Sequence, residues 1–507
     1  MKPYKLQCHT TRVSGPPGTG KTTWLLDKVE ELLAAGIPPE RIIYTTFSRA
    51  GITEAITRAT RRFGFSRERF PWFRTLHSLC FRFCRNRRVM TIGDLRELGG
   101  SIGLRFKKRA SLNQNVFTGL GKGDHMLNLI QLARVQRGNL FELWRERAET
   151  RFPHFELEHL HNTLETYKRE SGKIDYTDML EQFLAEDVRL EADALIMDEA
   201  QDSSPLQWEV IHKLSGMVKN AYCVGDDDQN IFTWNGASKD HFIDLDPDEN
   251  IVLRQSHRVP QVVHKMAVDL ISRIGHRLPK EYQPRDELGE ILRYDHIHKI
   301  DYSRNGSWLV LARNLTGLRG CVQAAHKYGT LYRSDGDFSI FGNAIEAATA
   351  WERLRAGETL TRDECLCAYS FMVSGLGVER GGKTALENAD ADEPVDLNDL
   401  LLSYGLRDPK PWDMHLSKLS EDERSYLRKA ETNGTLARKP VVRITTIHGA
   451  KGLEADNVVL ITDLSPACGK AWKAGEEEEI RVLYVALTRA KKRLFLMRPF
   501  GSMNYGI

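Results

Sequence analysis

The chain has 507 residues, length enough for three or four domains that each bury a core of their own. Charged residues make up 28% and hydrophobic residues 41%, with a formal net charge of +3. That balance is ordinary for a globular protein and excludes a molecule that binds nucleic acid through bulk charge alone. No apolar run approaches the roughly 20 residues that would span a bilayer, so no membrane partner is expected. A phosphate-loop pattern begins by residue 15, too early for a signal peptide to precede it, and a cytoplasmic location is expected. The eight cysteines show no paired metal-site spacing and are expected to be reduced thiols, the alternative being a concealed metal site.

In chain order, a short strand at 11–13 runs into Gly15-Pro16-Pro17-Gly18-Thr19-Gly20-Lys21-Thr22-Thr23. The glycines let backbone N–H groups turn toward phosphate oxygens, and a helix opening at Lys21 points its positive dipole end at the same anion. Lys21 is expected to reach the β- and γ-phosphates and the Thr22 hydroxyl to bind Mg2+. The same wording occurs in ring-forming AAA-type ATPases, so this loop alone does not select a family.

A helical pattern at 24–35 and a strand at 41–46 follow. Between Arg58 and Arg88 stand ten arginines and one acid, Glu68, with phenylalanines and Trp72 interleaved. Such a stretch suits a phosphate backbone with exposed bases; the alternative is a solvated helix face packed against a neighbour. From 86 to 171 the strand signal gives way to helical rows, as at 126–135 and 141–151. A strand at 192–197 then delivers Asp198-Glu199-Ala200-Gln201-Asp202. Asp198 can hold Mg2+, and Glu199 can orient and deprotonate an attacking water. About 180 residues separate this acidic pair from the phosphate loop, too many for a minimal nucleotide-binding domain, which suggests a motor working on a polymer.

A helix at 207–214 and a strand at 221–224 lead into Gly225-Asp226-Asp227-Asp228-Gln229-Asn230-Ile231-Phe232-Thr233-Trp234-Asn235-Gly236. Further strands are expected at 308–312, 441–446 and 457–462, with helical patterns at 344–354 and 400–404 inside a break from 346 to 434. Strands alternating with helices imply parallel sheets covered on both faces, with ligands beyond the strands' carboxyl ends. The expected organisation is α/β. One lobe is formed by 1–85 and 172–250 around a helical insertion at 86–171, and the other by 251–345 and 435–507 around a reduced insertion at 346–434.

From the third motif onward the resemblance becomes specific. The 225–236 segment resembles the third motif of UvrD/Rep-like superfamily 1 DNA helicases, and other segments match that family in order. Thr46-Phe47-Ser48-Arg49-Ala50, Thr75-Leu76-His77-Ser78 and Asp175-Tyr176-Thr177-Asp178-Met179 resemble earlier motifs. Gln255-Ser256-His257-Arg258 resembles the fourth, Thr446-Ile447-His448-Gly449-Ala450-Lys451-Gly452-Leu453-Glu454 the fifth, and Tyr484-Val485-Ala486-Leu487-Thr488-Arg489-Ala490 the sixth.

The resemblance implies two RecA-like parallel-sheet lobes clasping ATP and Mg2+ between them. It makes Gln229 a γ-phosphate sensor, and Arg258 and Arg489 arginine fingers reaching across from the second lobe. Plain surface charge is the alternative for these two arginines. Glu454 would contact the ribose, Arg49 the phosphate site or the strand path, and His448 the nucleic acid. Phe232 and Trp234 are stacking candidates, since each base–aromatic stack is worth about 1–3 kcal/mol; the alternative is that both are core aromatics. Phe47, Arg74 and His77 are further candidate strand contacts. Two departures stand out. His257 occupies the place of an adenine-stacking tyrosine, and the only glutamine upstream of the loop in the place of an adenine reader is Gln7.

The expected function is ATP-driven translocation on single-stranded DNA, 3′ to 5′ by resemblance, with unwinding of duplex at single-strand/double-strand junctions. Replication or repair proteins would be partners, and the protein a monomer or weak oligomer. The rival from another class is a DNA-stimulated ATPase that clears protein–DNA complexes with little unwinding. A helicase–nuclease and a ring ATPase are less favoured, and RNA as substrate stays open because stacking and phosphate contacts do not read the 2′-hydroxyl.

Overall fold

The computed structural model describes residues 4–85, 88–106, 121–147, 151–302, 305–334, 342–390, 393–436 and 441–507. Its internal contacts divide into two compact units, Met1–Leu288 with Gly475–Thr488, and Gly289–Ala474 with Arg489–Ile507.

The first unit is built on five parallel strands: β1 (His9–Ser14), β2 (Ile42–Thr46), β3 (Ala194–Asp198), β4 (Asn220–Gly225) and β5 (Glu249–Val252). They lie in the order β2-β3-β4-β1-β5. Their side chains alternate between two cores, as period-2 geometry demands. Ile42, Tyr44, Ala194 and Ile196 join Val13, Leu25 and Val29 on one face, while Ile43, Leu195 and Met197 join Trp208 and Leu214 on the other. Nearly continuous burial along β2 and β3 is the mark of a sheet covered on both sides.

The expected helical insertion forms Ile92–Ser101, Lys122–Val135, Leu140–Arg147 and His154–Ser171 around a separate core that includes Met126, Ile130, Leu157 and Leu164. Of the helical pattern expected at 141–151, Leu140–Arg147 is helical and 148–150 lie outside the described residues. The basic–aromatic stretch from Arg58 to Arg88 makes several ion pairs and ring contacts in the fold. Arg58, Arg62, Arg69 and Arg85 pair with acids, Phe70 and Phe73 are buried, and Trp72 stacks on Phe83. Asp27 and Glu30 for Arg62, and Glu40 for Arg69, are partners that lie outside the stretch itself.

The second unit carries six parallel strands: β6 (Glu290–Tyr294), β7 (Trp308–Ala312), β8 (Tyr332–Ser334), β9 (Val442–Thr446), β10 (Ala455–Ile461) and β11 (Ala490–Met497), in the order β8-β9-β7-β10-β11-β6. Three of them, β6, β8 and β11, had no expectation from sequence. β11 carries Lys491-Lys492-Arg493 in its first half, no position of β6 is fully buried and β8 has three residues, so each lacks the unbroken buried run of β7. The helices between Gly342 and Thr432 do not make a core of their own. Trp351, Leu400, Trp412 and Leu427 belong to the same apolar cluster as Trp308 and Val310 of the sheet. Residues 251–288 and the helix Glu477–Leu487 group with the first unit, so Arg258 shares a unit with the phosphate loop and Arg489 does not.

Candidate functional site

The phosphate loop leaves β1 with the Gly15 N–H donating to the Gly225 carbonyl at 2.9 Å, which docks it against the end of β4. Gly18 and Gly20 have φ of 75° and 82°, a left-handed backbone that favours glycine. The helix Lys21–Ala34 has neither a side-chain cap nor an acid in its first turn, so its amino-terminal N–H groups and dipole remain available to an anion. Lys21 Nζ donates to the Gly15 carbonyl at 2.8 Å. Thr22 is half-buried and Thr23 exposed at the start of the same helix.

Asp198 ends β3. The Glu199 N–H donates to its Oδ1 at 2.9 Å and the Tyr44 hydroxyl to its Oδ2 at 3.3 Å. Burial, then the neighbouring Glu199 charge, push its carboxyl up to about 7, against the pull of Lys21 and these hydrogen bonds. Glu199 sits at φ 55°, a left-handed conformation that is strained for a residue with a side chain. Its Oε2 accepts from Gln201 Nε2 at 2.6 Å. Gln229 is buried, and its Nε2 donates to Asp226 Oδ2 at 2.7 Å.

Residues 255–258 lie directly on the phosphate loop. The Ser256 hydroxyl donates to the Pro17 carbonyl at 2.7 Å, and the His257 N–H to the Gly18 carbonyl at 2.8 Å. Arg258 packs so closely that a Cβ added to Gly18 would stand 2.3 Å from its own Cβ. The His257 ring is exposed beside this contact. Gln7 lies at the other end of β1, where its amide meets Nδ1 of His212 at 3.1 Å.

Lys21, Asp198, Glu199, Gln229 and Arg258 therefore meet at the carboxyl ends of β1, β3 and β4, within one unit. Among the described residues there is no cluster of three or more metal-ligating side chains. A magnesium site needs none, because it is held by one or two protein oxygens together with phosphates and water. Asp198, a half-buried acid whose charge is opposed by Glu199, and Thr22 at the start of the phosphate-loop helix suit that donor set.

Of the candidate strand contacts, Phe47 and Phe232 stack with centroids 5.2 Å apart and planes 17° apart. Trp234 meets Phe232 edge-on at 6.3 Å. Phe232 is buried and Trp234 half-buried. Gly236 (φ 87°) closes this loop, and a Cβ there would stand 2.4 Å from Val135 Cγ2, so the helical insertion braces the Trp234 loop. The Arg74 Nε donates to the Pro71 carbonyl at 2.7 Å. His77 meets Tyr176 edge-on at 6.1 Å, and burial pulls its imidazole down to about 4. Arg49 is exposed at the start of the helix Arg49–Phe63, after the Ser48 cap.

In the second unit His448 is buried just after β9. Arg489 is 1% exposed, its guanidinium donating to the Leu453 carbonyl at 3.3 Å while its own carbonyl accepts from the Ala455 N–H. Glu454 is thereby brought beside Arg489, and it pairs with Lys491 at 2.5 Å. The sequence reading missed a cavity of about 660 Å³ beyond the carboxyl ends of β7, β10 and β11, lined in part by His296, His298, Lys327, Tyr328 and Phe500. His296 and His298 stack at 5.1 Å, with Phe500 6.0 Å from the first ring and Tyr328 6.2 Å from the second. Asp463 Oδ1 accepts from the Phe500 and Gly501 N–H groups, which sets the Phe500 loop. No single sequence motif marks these residues; only the folded sheet gathers them. The eight cysteines are all free, and among the described residues no helix is long and apolar enough to cross a membrane.

The chain matches the UvrD/REP helicase N-terminal domain over residues 2–250 and the UvrD-like helicase C-terminal domain over residues 410–498. It is 22% identical to the putative ATP-dependent DNA helicase YjcD of Bacillus subtilis over 597 aligned residues, covering 95% of this chain and 76% of that one. It is likewise 22% identical to the probable DNA helicase II homolog of Mycoplasma pneumoniae over 599 residues, covering 95% and 81%. Identity with the ATP-dependent DNA helicase Rep of Buchnera aphidicola reaches 30%, over 191 residues that cover 34% of this chain and 28% of that protein. With both domains matched, the chain belongs to the UvrD/Rep-like family of superfamily 1 helicases.

Proposed function

We propose that this helicase hydrolyses ATP with Mg2+ to move 3′ to 5′ along single-stranded DNA and to separate duplex ahead of it. The observation that carries the reading is the convergence of Lys21, Asp198, Glu199, Gln229 and Arg258 around one phosphate loop. Lys21 and the amino terminus of its helix hold the β- and γ-phosphates. Thr22 and Asp198 would hold the magnesium ion, which withdraws charge from the phosphate oxygens when bound. Glu199 takes a proton from water as the water oxygen attacks the γ-phosphorus and the bond to the ADP oxygen breaks. Arg258 meets the charge that spreads over the transferring group, a task that suits a planar, always-charged donor. Arg489 is the second arginine that the family resemblance assigns to this step, and Glu454 beside it the ribose contact.

Hydrolysis alone does not move a strand. Trp234 and Phe47 in the first unit, and the Phe500–His296–His298–Tyr328 rings in the second, offer stacking surfaces; Lys327 next to Tyr328 supplies a charge for phosphate. Such surfaces accept any base, as a translocase requires. Replication or repair proteins would be its partners, with the protein a monomer or weak oligomer.

The test is displacement of a labelled strand from duplexes tailed at the 3′ or the 5′ end, with and without ATP. ATP-dependent displacement from the 3′-tailed duplex is expected. Preference for the 5′ tail overturns the polarity, and strand-stimulated hydrolysis without displacement from either duplex favours a remodelling ATPase.

A further inference from the structure

Three consecutive carboxylates, Asp226, Asp227 and Asp228, are fully buried at the end of β4. Like charges packed this closely need counter-charges that are themselves desolvated. Lys280 supplies the central one. Its side chain is 1% exposed, and its Nζ lies 2.9 Å from Asp226 Oδ1 and 2.9 Å from Asp228 Oδ2 while also bonding Asp227. Arg277 Nε adds a bond to Asp228 at 2.9 Å, and the Leu278 N–H one to Asp227 at 2.9 Å. Both cations come from the segment after the helix Gln261–Ile271, outside every nucleotide motif.

Two hydrogen-bonded arms leave this cluster. One runs from Asp226 Oδ2 to the Gln229 amide at 2.7 Å. The other runs from the Asp226 N–H to Gln201 Oε1 at 3.0 Å, then from Gln201 Nε2 to Glu199 Oε2 at 2.6 Å. Gln201 is wholly buried, and Gly225 makes room for it: a Cβ at 225 would stand 2.4 Å from Gln201 Oε1.

We propose that Lys280 is a positioning residue of the hydrolytic centre: it holds the Asp226–Asp228 turn, and the turn sets Gln229 directly and Glu199 through Gln201. Lys280 touches neither nucleotide nor water in this scheme. The proposal rests on the reading of Glu199 as the base that activates water.

The experiment measures steady-state ATPase, single-strand affinity and thermal midpoint for Lys280→Met. Partners that orient reacting groups typically matter by 10–100-fold, so kcat is expected to fall by about that factor. KM for ATP and strand affinity should stay within about twofold. A folded Lys280→Met protein with parent-like kcat overturns the proposal, as does a rise in KM matching the fall in kcat. Should that variant fail to fold, Lys280→Met with Asp227→Asn restores the charge balance and decides the question. Reduced kcat at parent-like KM supports the proposal, and parent-like kcat overturns it. A Glu199→Gln control separates the two readings. Parent-like turnover in the control removes Glu199 from hydrolysis, whereas lost turnover there beside normal Lys280→Met turnover removes only Lys280.

Discussion

Ser256 donates its hydroxyl to the Pro17 carbonyl at 2.7 Å, which seats Arg258 against Gly18. No side chain fits between them. Gly18→Ala meets both a left-handed backbone and a collision with Arg258 and Ser256. Nucleotide affinity and strand-stimulated ATPase should each fall at least about tenfold, an energy of about 1.4 kcal/mol, read by nucleotide titration and phosphate release. Unchanged binding would show that the loop opens away from Arg258 when nucleotide arrives.

Glu199→Gln keeps the shape of the side chain and removes the base. Turnover should fall by about 10²–10⁴, the range general-base catalysis supplies, with nucleotide-dependent strand binding retained. Single-turnover hydrolysis checks this, and near-normal rates would return the role to another group.

Phe232 and Trp234 should separate by phenotype. Phe232 is buried against Phe47, so Phe232→Ala should cost about 3 kcal/mol of stability, seen as a lower thermal midpoint. Trp234→Ala should leave the midpoint nearly unchanged and weaken single-strand affinity by about 1–3 kcal/mol in fluorescence anisotropy at matched salt. The reverse pattern would exchange their roles.

Phe500 is 78% exposed at the rim of the second unit's cavity. Phe500→Ala should weaken strand affinity by about 1–3 kcal/mol while basal, strand-free ATPase is unaffected. A loss of basal activity instead would assign the ring a structural part.

Burial pulls the His77 imidazole down to about 4, so the folded protein binds this proton less readily than the unfolded chain, in which histidine titrates near 6.5. The stability that results is present above about 6.5 and is lost as pH falls toward 4, by up to about 3 kcal/mol. His77→Gln should flatten that part of the stability–pH curve in chemical denaturation. An unchanged slope would mean that other groups dominate it.

Much of the site is legible in the residues themselves. Spacing and residue type single out the phosphate loop and the acidic pair, because glycines permit the turn that aims backbone N–H groups at an anion, and the acidic pair closes a buried apolar strand. The strands found from sequence, such as Ile42–Thr46 and Ala194–Asp198, are those buried on both faces, where an unbroken apolar run is compulsory. Ala490–Met497 escapes notice because its first half is basic and its second half apolar. The ion pairs of the arginines between 58 and 88 escape notice for a related reason. Charge along a chain does not reveal the acids that folding places beside it, such as Asp27 and Glu30 for Arg62.

Sequence alone determined the family, the chemistry and the order of the motifs, since these depend on residue identity and local spacing. Only the tertiary structure decided that Arg258 rests on the phosphate loop and that Lys280 pairs with three aspartates about fifty residues before it. It also decided that Phe500 shares a cavity with His296. Each is a contact between side chains distant in sequence, set by how sheet and helices pack, and no local pattern of residues records that packing.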